Sequence, residues 1–297
     1  MAQYNNVHLY GIAAKDAKST RDDITGAVLD ANVVIITLSS ARKYEGSNEG
    51  ATIEFNHISV RAGVPEMAKK IAKIRQNDIV VLKGTLNTRN VPKAVTCSAC
   101  SERYNAVEPG EDMYKAQGMI TFVTPIDIDI RNTDFGNRTS NINKMLISED
   151  EKKQKIRQET LNAINSIIEH REMSNEVQII GNLCADPAPQ ENGRATAYQI
   201  GINRNFYLKD DLPSVSSDYP YVRSYGRQAD SDMEHLQKGS LVLVDGFLRI
   251  RKFLRTTKCP ACGFEKTWEA NVMEIVPYTV QYLGGIKEQK EISEERG

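Results

Sequence analysis

The sequence predicts a mainly β protein: two tandem OB-fold barrels joined by a linker containing an amphipathic helix. The first observation is an internal duplication. Gly84-Thr85-Leu86-Asn87-Thr88-Arg89 leads to Cys97-Ser98-Ala99-Cys100, and Gly246-Phe247-Leu248-Arg249-Ile250-Arg251 leads to Cys259-Pro260-Ala261-Cys262, with thirteen residues from glycine to first cysteine in each copy. Equal spacing after an apolar run in both copies is the signature of a repeated unit. The second observation is that each unit opens with an alternating strand stopped by glycine, Val7-His8-Leu9-Tyr10-Gly11 and Val177-Gln178-Ile179-Ile180-Gly181. The third is the shared order of the later elements. More alternating strands come first, then a short helical piece (65–75 and 229–237), the glycine-bearing strand, the CxxC, and a late strand containing proline (120–130 and 272–282). One helix inserted after the third strand fits a small closed barrel.

A chain of 297 residues matches a prior of about two domains. The expected boundaries are 1–131 for the first barrel, 132–174 for the linker, 175–283 for the second barrel and 284–297 for a charged, disordered tail. Residues 132–143 are polar and glycine-poor and read as loop. A helix then begins where Ser148 and Glu151 form a capping box with Ile147 as staple, and Ile156, Leu161, Ile164, Ile167 and Ile168 recur at helical spacing. Such a stripe is expected to pack on a barrel, the alternative being a partner-binding helix.

The formal net charge of −1 arises from 38 basic and 39 acidic residues, so a polyanion must be held by local patches. Apolar runs such as 33–36 fall far short of a membrane span, and 1–10 has no signal-peptide pattern, so a cytoplasmic chain is expected. Five cysteines, four of them in CxxC pairs, point to metal or thiolate chemistry more than to a disulfide framework.

In 219–227 the odd positions are Tyr219, Tyr221, Arg223, Tyr225 and Arg227, and a strand sends alternate side chains to one face. Parity also places Phe247, Arg249, Arg251 and Phe253 together, with Leu248 and Ile250 on the core side. Rings interleaved with guanidinium groups suit single-stranded nucleic acid, because bases stack on rings while cations follow the phosphates. Aromatic core residues with solvated arginines are the bland alternative.

The second unit resembles the bacterial single-stranded DNA-binding proteins. The matching residues are Val177-Gln178-Ile179-Ile180-Gly181-Asn182-Leu183, Asp186-Pro187, Asn203-Arg204-Asn205-Phe206, Tyr225-Gly226-Arg227 with Ala229, Lys238-Gly239-Ser240, and 245–253. The resemblance implies that Phe206, Tyr219, Tyr225 and Phe253 stack bases, and that Arg204, Arg223, Arg227, Arg249 and Arg251 contact phosphates. It also implies DNA as the ligand, a role in replication, recombination or DNA transfer alongside the proteins of those processes, and a homodimer presenting four barrels. The first unit is the weaker likeness. The repeat puts Tyr44 and Phe55 in the first two stacking places, but Arg61 and Val91 where Tyr225 and Phe253 sit. Arg42, Lys43, Arg61 and Arg89 keep some cationic character, and His57 shares strand parity with Phe55. The chain lacks the acidic, apolar-tipped tail usual in the family, and the CxxC pairs are foreign to it.

Each CxxC offers two thiolates, whereas a closed structural zinc site needs four ligands. Cys97, Cys100, Cys259 and Cys262 are therefore expected to meet around one zinc and clamp the barrels. Separate sites completed by other groups, a redox dithiol, and ligandless hairpin cysteines remain open. Cys184 reads as a small packed residue. An OB-fold scaffold in a replication or transfer complex is a competing function. A zinc deaminase is the remote one, since His170-Arg171-Glu172 with Cys259 and Cys262 only loosely fits that pattern. No nucleophile elbow or phosphate loop is present, so no enzyme is expected.

Overall fold

In the computed structural model the described residues are 4–41, 52–92, 94–105, 117–169, 175–190, 193–204 and 217–287. The first unit runs β1 (Tyr4–Ala13), β2 (Lys18–Arg21), β3 (Val28–Ala41), β4 (Thr52–Ala62), α1 (Pro65–Ile71), β5 (Ile79–Pro92), β6 (Ala94–Thr96), β7 (Arg103–Asn105) and β8 (Gln117–Asn132). Helices α2 (Asp134–Lys144) and α3 (Glu149–Glu169) lead to the second unit. That unit comprises β9 (Asn175–Leu183), β10 (Ala188–Gln190), β11 (Ala195–Asn203), β12 (Ser217–Asp218), β13 (Tyr221–Tyr225), α4 (Gly226–His235), β14 (Leu241–Lys258) and β15 (Glu265–Gly284).

Both units close in the same way. Around the first barrel the strand order is β1-β3-β4-β8-β5 and back to β1; around the second it is β9-β11-β13-β15-β14 and back to β9. One apolar side chain of each alternating pair points inward, so Leu9, Ile58 and Leu86 fill one barrel and Ile179, Ile200 and Leu248 the other, all fully buried. The glycine that anchors each repeat sits at a register shift and faces a proline, Gly84 opposite Pro125 and Gly246 opposite Pro277. A side chain cannot fit there. A Cβ on Gly246 would lie 2.2 Å from the Val276 carbonyl oxygen, and one on Gly84 2.4 Å from that of Thr124.

The two barrels join through their first strands. β1 pairs antiparallel with β9 about Val7 and Val177, with Asn5 opposite Ile179 and Leu9 opposite Asn175. Because Asn5 corresponds to Asn175 and Leu9 to Ile179 in the repeat, exchanging the units leaves this pairing unchanged. The chain thus builds an isologous, pseudo-two-fold interface within itself. The seam repeats the symmetry. Asn56 accepts the Ile250 N–H at 3.1 Å, and the equivalent Asp218 accepts that of Thr88 at 2.5 Å. A buried donor left unpaired costs about 1–3 kcal/mol, so each crossing bond holds the units in register.

Residues 132–143 differ from expectation: most of them form α2. Its contacts are polar or tight, which hides it from a hydrophobic pattern. Thr139 accepts a bond from the Asn77 amide at 2.9 Å, Asn137 accepts one from Arg75 at 2.8 Å, and buried Gly136 lies directly against Asp78. Helix α3 begins at the expected capping box, where the Ser148 hydroxyl accepts the Glu151 N–H at 3.3 Å and Glu151 accepts the Ser148 N–H at 3.1 Å. Its stripe packs on the first barrel, where Ala163, Ile164 and Ile167 meet Tyr10, Ile12, Ile79 and Val81. Leu161 and Ile168, expected in that stripe, are exposed. The start of the predicted tail is bonded to the second barrel: Ser240 donates to the Gly285 carbonyl at 2.7 Å and the Lys287 N–H to that of His235 at 2.8 Å. Residues 288–297 lie outside the described ones.

Candidate nucleic-acid interface and cysteine cluster

Strand β13 delivers the predicted alternation over part of its length. Val222 and Ser224 point into the barrel, while Tyr221 stands outward at 40 % exposure, with Tyr219 just before the strand at 44 %. The alternation ends at Tyr225, because α4 starts at Gly226 and carries exposed Arg227 on its first turn. Arg227 therefore leaves the strand face on which parity had placed it.

The arginines of this face are organised by a residue that the sequence pattern did not single out. Glu274 of β15 is buried and gathers three guanidinium groups, Arg223 at 3.1 Å, Arg249 at 2.7 Å and Arg251 at 3.1 Å. Sharing one carboxylate fixes the direction of each guanidinium fork. Arg249 also lies 4.8 Å over the Tyr225 ring and donates to its hydroxyl, and Arg251 lies 5.2 Å over Phe253. Burial works against the Arg249 charge, but the Glu274 and Tyr225 contacts outweigh it and hold its pKa above the ordinary guanidinium value. The signal for Glu274 was available: β14 and β15 form a hairpin, and its register places Glu274 directly opposite Arg249.

Arg204 sits elsewhere. Its side chain is 2 % exposed, pairs with Asp218 at 2.6 Å and donates to the Thr88 carbonyl at 2.7 Å. This corrects its placement among the surface cations: it locks the seam between the units. Phe247 shares the outward parity but is 5 % exposed, packed 5.4 Å from the Tyr278 ring. Phe206, Tyr44, Arg42 and Lys43 lie outside the described residues.

Register also corrects the alignment of the first unit. Val60 pairs with Val33 and with Val123 as Val222 pairs with Tyr198 and with Ile275. His57 therefore occupies the place of Tyr219, Ser59 that of Tyr221, Arg61 that of Arg223 and Phe122 that of Glu274. Phe55 is 50 % exposed on β4, two residues from the stacking place assigned to it. Where the second unit has its arginine–glutamate cluster, the first has Arg61 lying 5.4 Å over the Phe122 ring. Asn87 fills the place of Arg249 and is buried, donating to Asp218 at 2.9 Å.

The CxxC turns, one between β6 and β7 and the other between β14 and β15, meet. All four sulfur atoms lie within 4.8 Å of one another, with Cys97 3.6 Å from Cys262 and Cys100 3.7 Å from Cys259. Both close pairs cross between the units and exchange under the same pseudo-two-fold. The turns match bond for bond: Ser101 donates to the Cys97 carbonyl at 3.0 Å and Gly263 to that of Cys259 at 2.9 Å. Four thiols this close do not ionise independently. The Cys100 backbone N–H, with lesser bonds, pulls Cys97 down to about 7. On Cys100 the Glu102 backbone bond acts in the same sense, but Cys262, burial, Cys97 and Cys259 outweigh it and push the thiol up to about 12. A tetrahedral zinc with bonds of about 2.3 Å has sulfur–sulfur edges of about 3.8 Å, so the donor set and its spacing are compatible with that metal. Cys184 stands apart, half-buried, with its thiol pKa raised by burial. The deaminase reading needs His170 and Glu172, which lie outside the described residues.

Residues 174–260 match the family described as the single-strand binding protein family. The match falls on the C-terminal barrel. A curated relative, the single-stranded DNA-binding protein of Staphylococcus epidermidis, is 28 % identical over 83 residues, which are 27 % of this chain and 62 % of the relative. The chain thus spans less than two thirds of that protein. Among solved structures, the wild-type single-stranded DNA-binding protein of Thermus aquaticus superposes with a TM-score of 0.55 at 12 % identity, covering 98 % of both chains. A deletion variant of that protein gives 0.54 at 13 %, covering 97 % of this chain and 98 % of the other. At such identities the likeness is one of fold, and it extends over both barrels. Among the described residues no helix is long and apolar enough to cross a membrane.

Proposed function

We propose that this protein binds single-stranded DNA with little sequence preference, chiefly through its C-terminal barrel, and acts by coating strands exposed in DNA replication, recombination or transfer, without catalysis. The observation that carries this reading is the juxtaposition of exposed Tyr219 and Tyr221 with three arginines sharing one carboxylate. Rings accept bases at about 1–3 kcal/mol each, and guanidinium groups beside them follow the phosphates. Arg227 and Phe253 flank that centre, and the first barrel contributes Phe55 and Arg61 more weakly. The family match and the relative's printed name favour DNA as the ligand. A pure scaffold has no use for rings and guanidinium groups aligned in this way.

Cys97, Cys100, Cys259 and Cys262 would hold one structural zinc between the units. With four thiolates the coordination shell is closed, leaving no open position for chemistry. The metal would supply a cross-link. Two chains would together present four barrels, and native mass spectrometry reads that homodimer directly.

Anisotropy titration of labelled oligothymidylate, run beside a matched RNA strand, tests the main reading. Binding that weakens linearly in log affinity against log salt is expected. Loss of all binding at low salt would sink the proposal.

A further inference from the structure

The β14–β15 hairpin extends well beyond the barrel, and its register is unbroken from Phe247 to Lys258. Directly opposed residues in an antiparallel pair share a face. One face therefore reads Arg249 with Glu274, Arg251 with Val272, Phe253 with Ala270, and Arg255 with Trp268. The other reads Lys252 with Asn271, Leu254 with Glu269 and Thr256 with Thr267. The first of these faces continues the surface built around Glu274, through the Arg251 contact with Phe253. It then adds one more ring and one more guanidinium group before Thr257, which is 4 % exposed near the cysteine cluster. Lys266 ties the arm to the first unit, donating to the Thr96 carbonyl at 3.3 Å. Trp268 is the single tryptophan of the chain and lies beyond the residues that match the family.

We infer that the arm is a further stacking segment, in which Trp268 takes a base and Arg255 an adjacent phosphate of a strand leaving the barrel toward the cysteine cluster. This rests on the nucleic-acid reading above. The cysteine cluster then has a second consequence: by holding the tip of the arm it presents the Trp268 face in a fixed direction.

A single tryptophan makes the test specific. Wild-type protein is titrated with labelled oligothymidylate while anisotropy of the label and selectively excited tryptophan emission are both recorded. Quenching of Trp268 in step with binding, and a loss of roughly tenfold in affinity in Trp268→Ala that Trp268→Phe largely restores, is the expected result. Binding with unchanged tryptophan emission and unchanged affinity in Trp268→Ala overturns the arm while leaving the barrel surface intact. No change in the label's anisotropy with wild-type protein sinks both. Because the emission is read on the wild-type chain, a variant that fails to fold does not hide the answer.

Discussion

The two barrels share one topology and one pseudo-two-fold interface, yet differ at the positions that face a ligand. In the second unit Glu274 draws Arg223, Arg249 and Arg251 together beside Tyr221 and Tyr225. In the first the same places hold Phe122, Arg61, buried Asn87, Arg89, Ser59 and Gly63. The difference teaches that the duplicated framework and the binding surface are separable. Closing and pairing the barrels needs Val7, Asn5, Gly84 and their counterparts, whereas the outward side chains of β4 and β13 are free to diverge.

The largest effect should come from the feature that belongs to both units equally. Cys97→Ser and Cys259→Ser are each expected to release the metal and to lower stability by several kcal/mol, by the same amount whichever unit is altered. Metal analysis and thermal melts check this; two zincs per chain, none in freshly reduced protein, or clearly unequal losses break the shared clamp. Next comes Glu274→Gln. It leaves three guanidinium groups facing one another, with Arg223 only 7 % exposed, and should cost about 3 kcal/mol in denaturant unfolding. The matching change in the first unit, Phe122→Leu, removes only a ring under Arg61 and should cost about 1 kcal/mol. A smaller effect separates the faces in binding: Tyr221→Ala should weaken oligonucleotide affinity by about 1–2 kcal/mol, and Phe55→Ala by less than about 0.5. Equal losses would abolish the asymmetry. Below the Tyr221 effect comes Ser101→Gly. Ser101 has φ of 60° where the second turn uses Gly263 at 73°, so the substitution should stabilise the fold by about 0.5–1 kcal/mol in a melt.

Much of the architecture is legible in the amino-acid order. Alternation and glycine placement mark the strands, and the capping box at Ser148 marks α3, because these signals are local. The reading of 132–143 as loop fails because α2 is held by Asn77, Asp78 and Arg75, residues distant in sequence. Phe55 and Arg61 of β4 fall two residues from the places assigned to them because spacing along a strand cannot fix its register; only the partner strand can. Arg204 is misplaced on the surface for a related reason, since Asp218 reaches it from another strand of its own unit and Thr88 from across the seam.

By itself, the sequence determined the duplication, the barrel class, the parity of the tyrosine–arginine strip and the pairing of the cysteines in CxxC turns. These depend on periods of two residues and on repeats, which a linear chain displays. Tertiary structure decided among the open readings of the cysteines by bringing the four sulfur atoms together, and it alone decided that one buried glutamate sets three arginines. Long-range pairing governs both, because a charge or a thiol acquires its partners only when closed barrels bring remote strands within bonding distance.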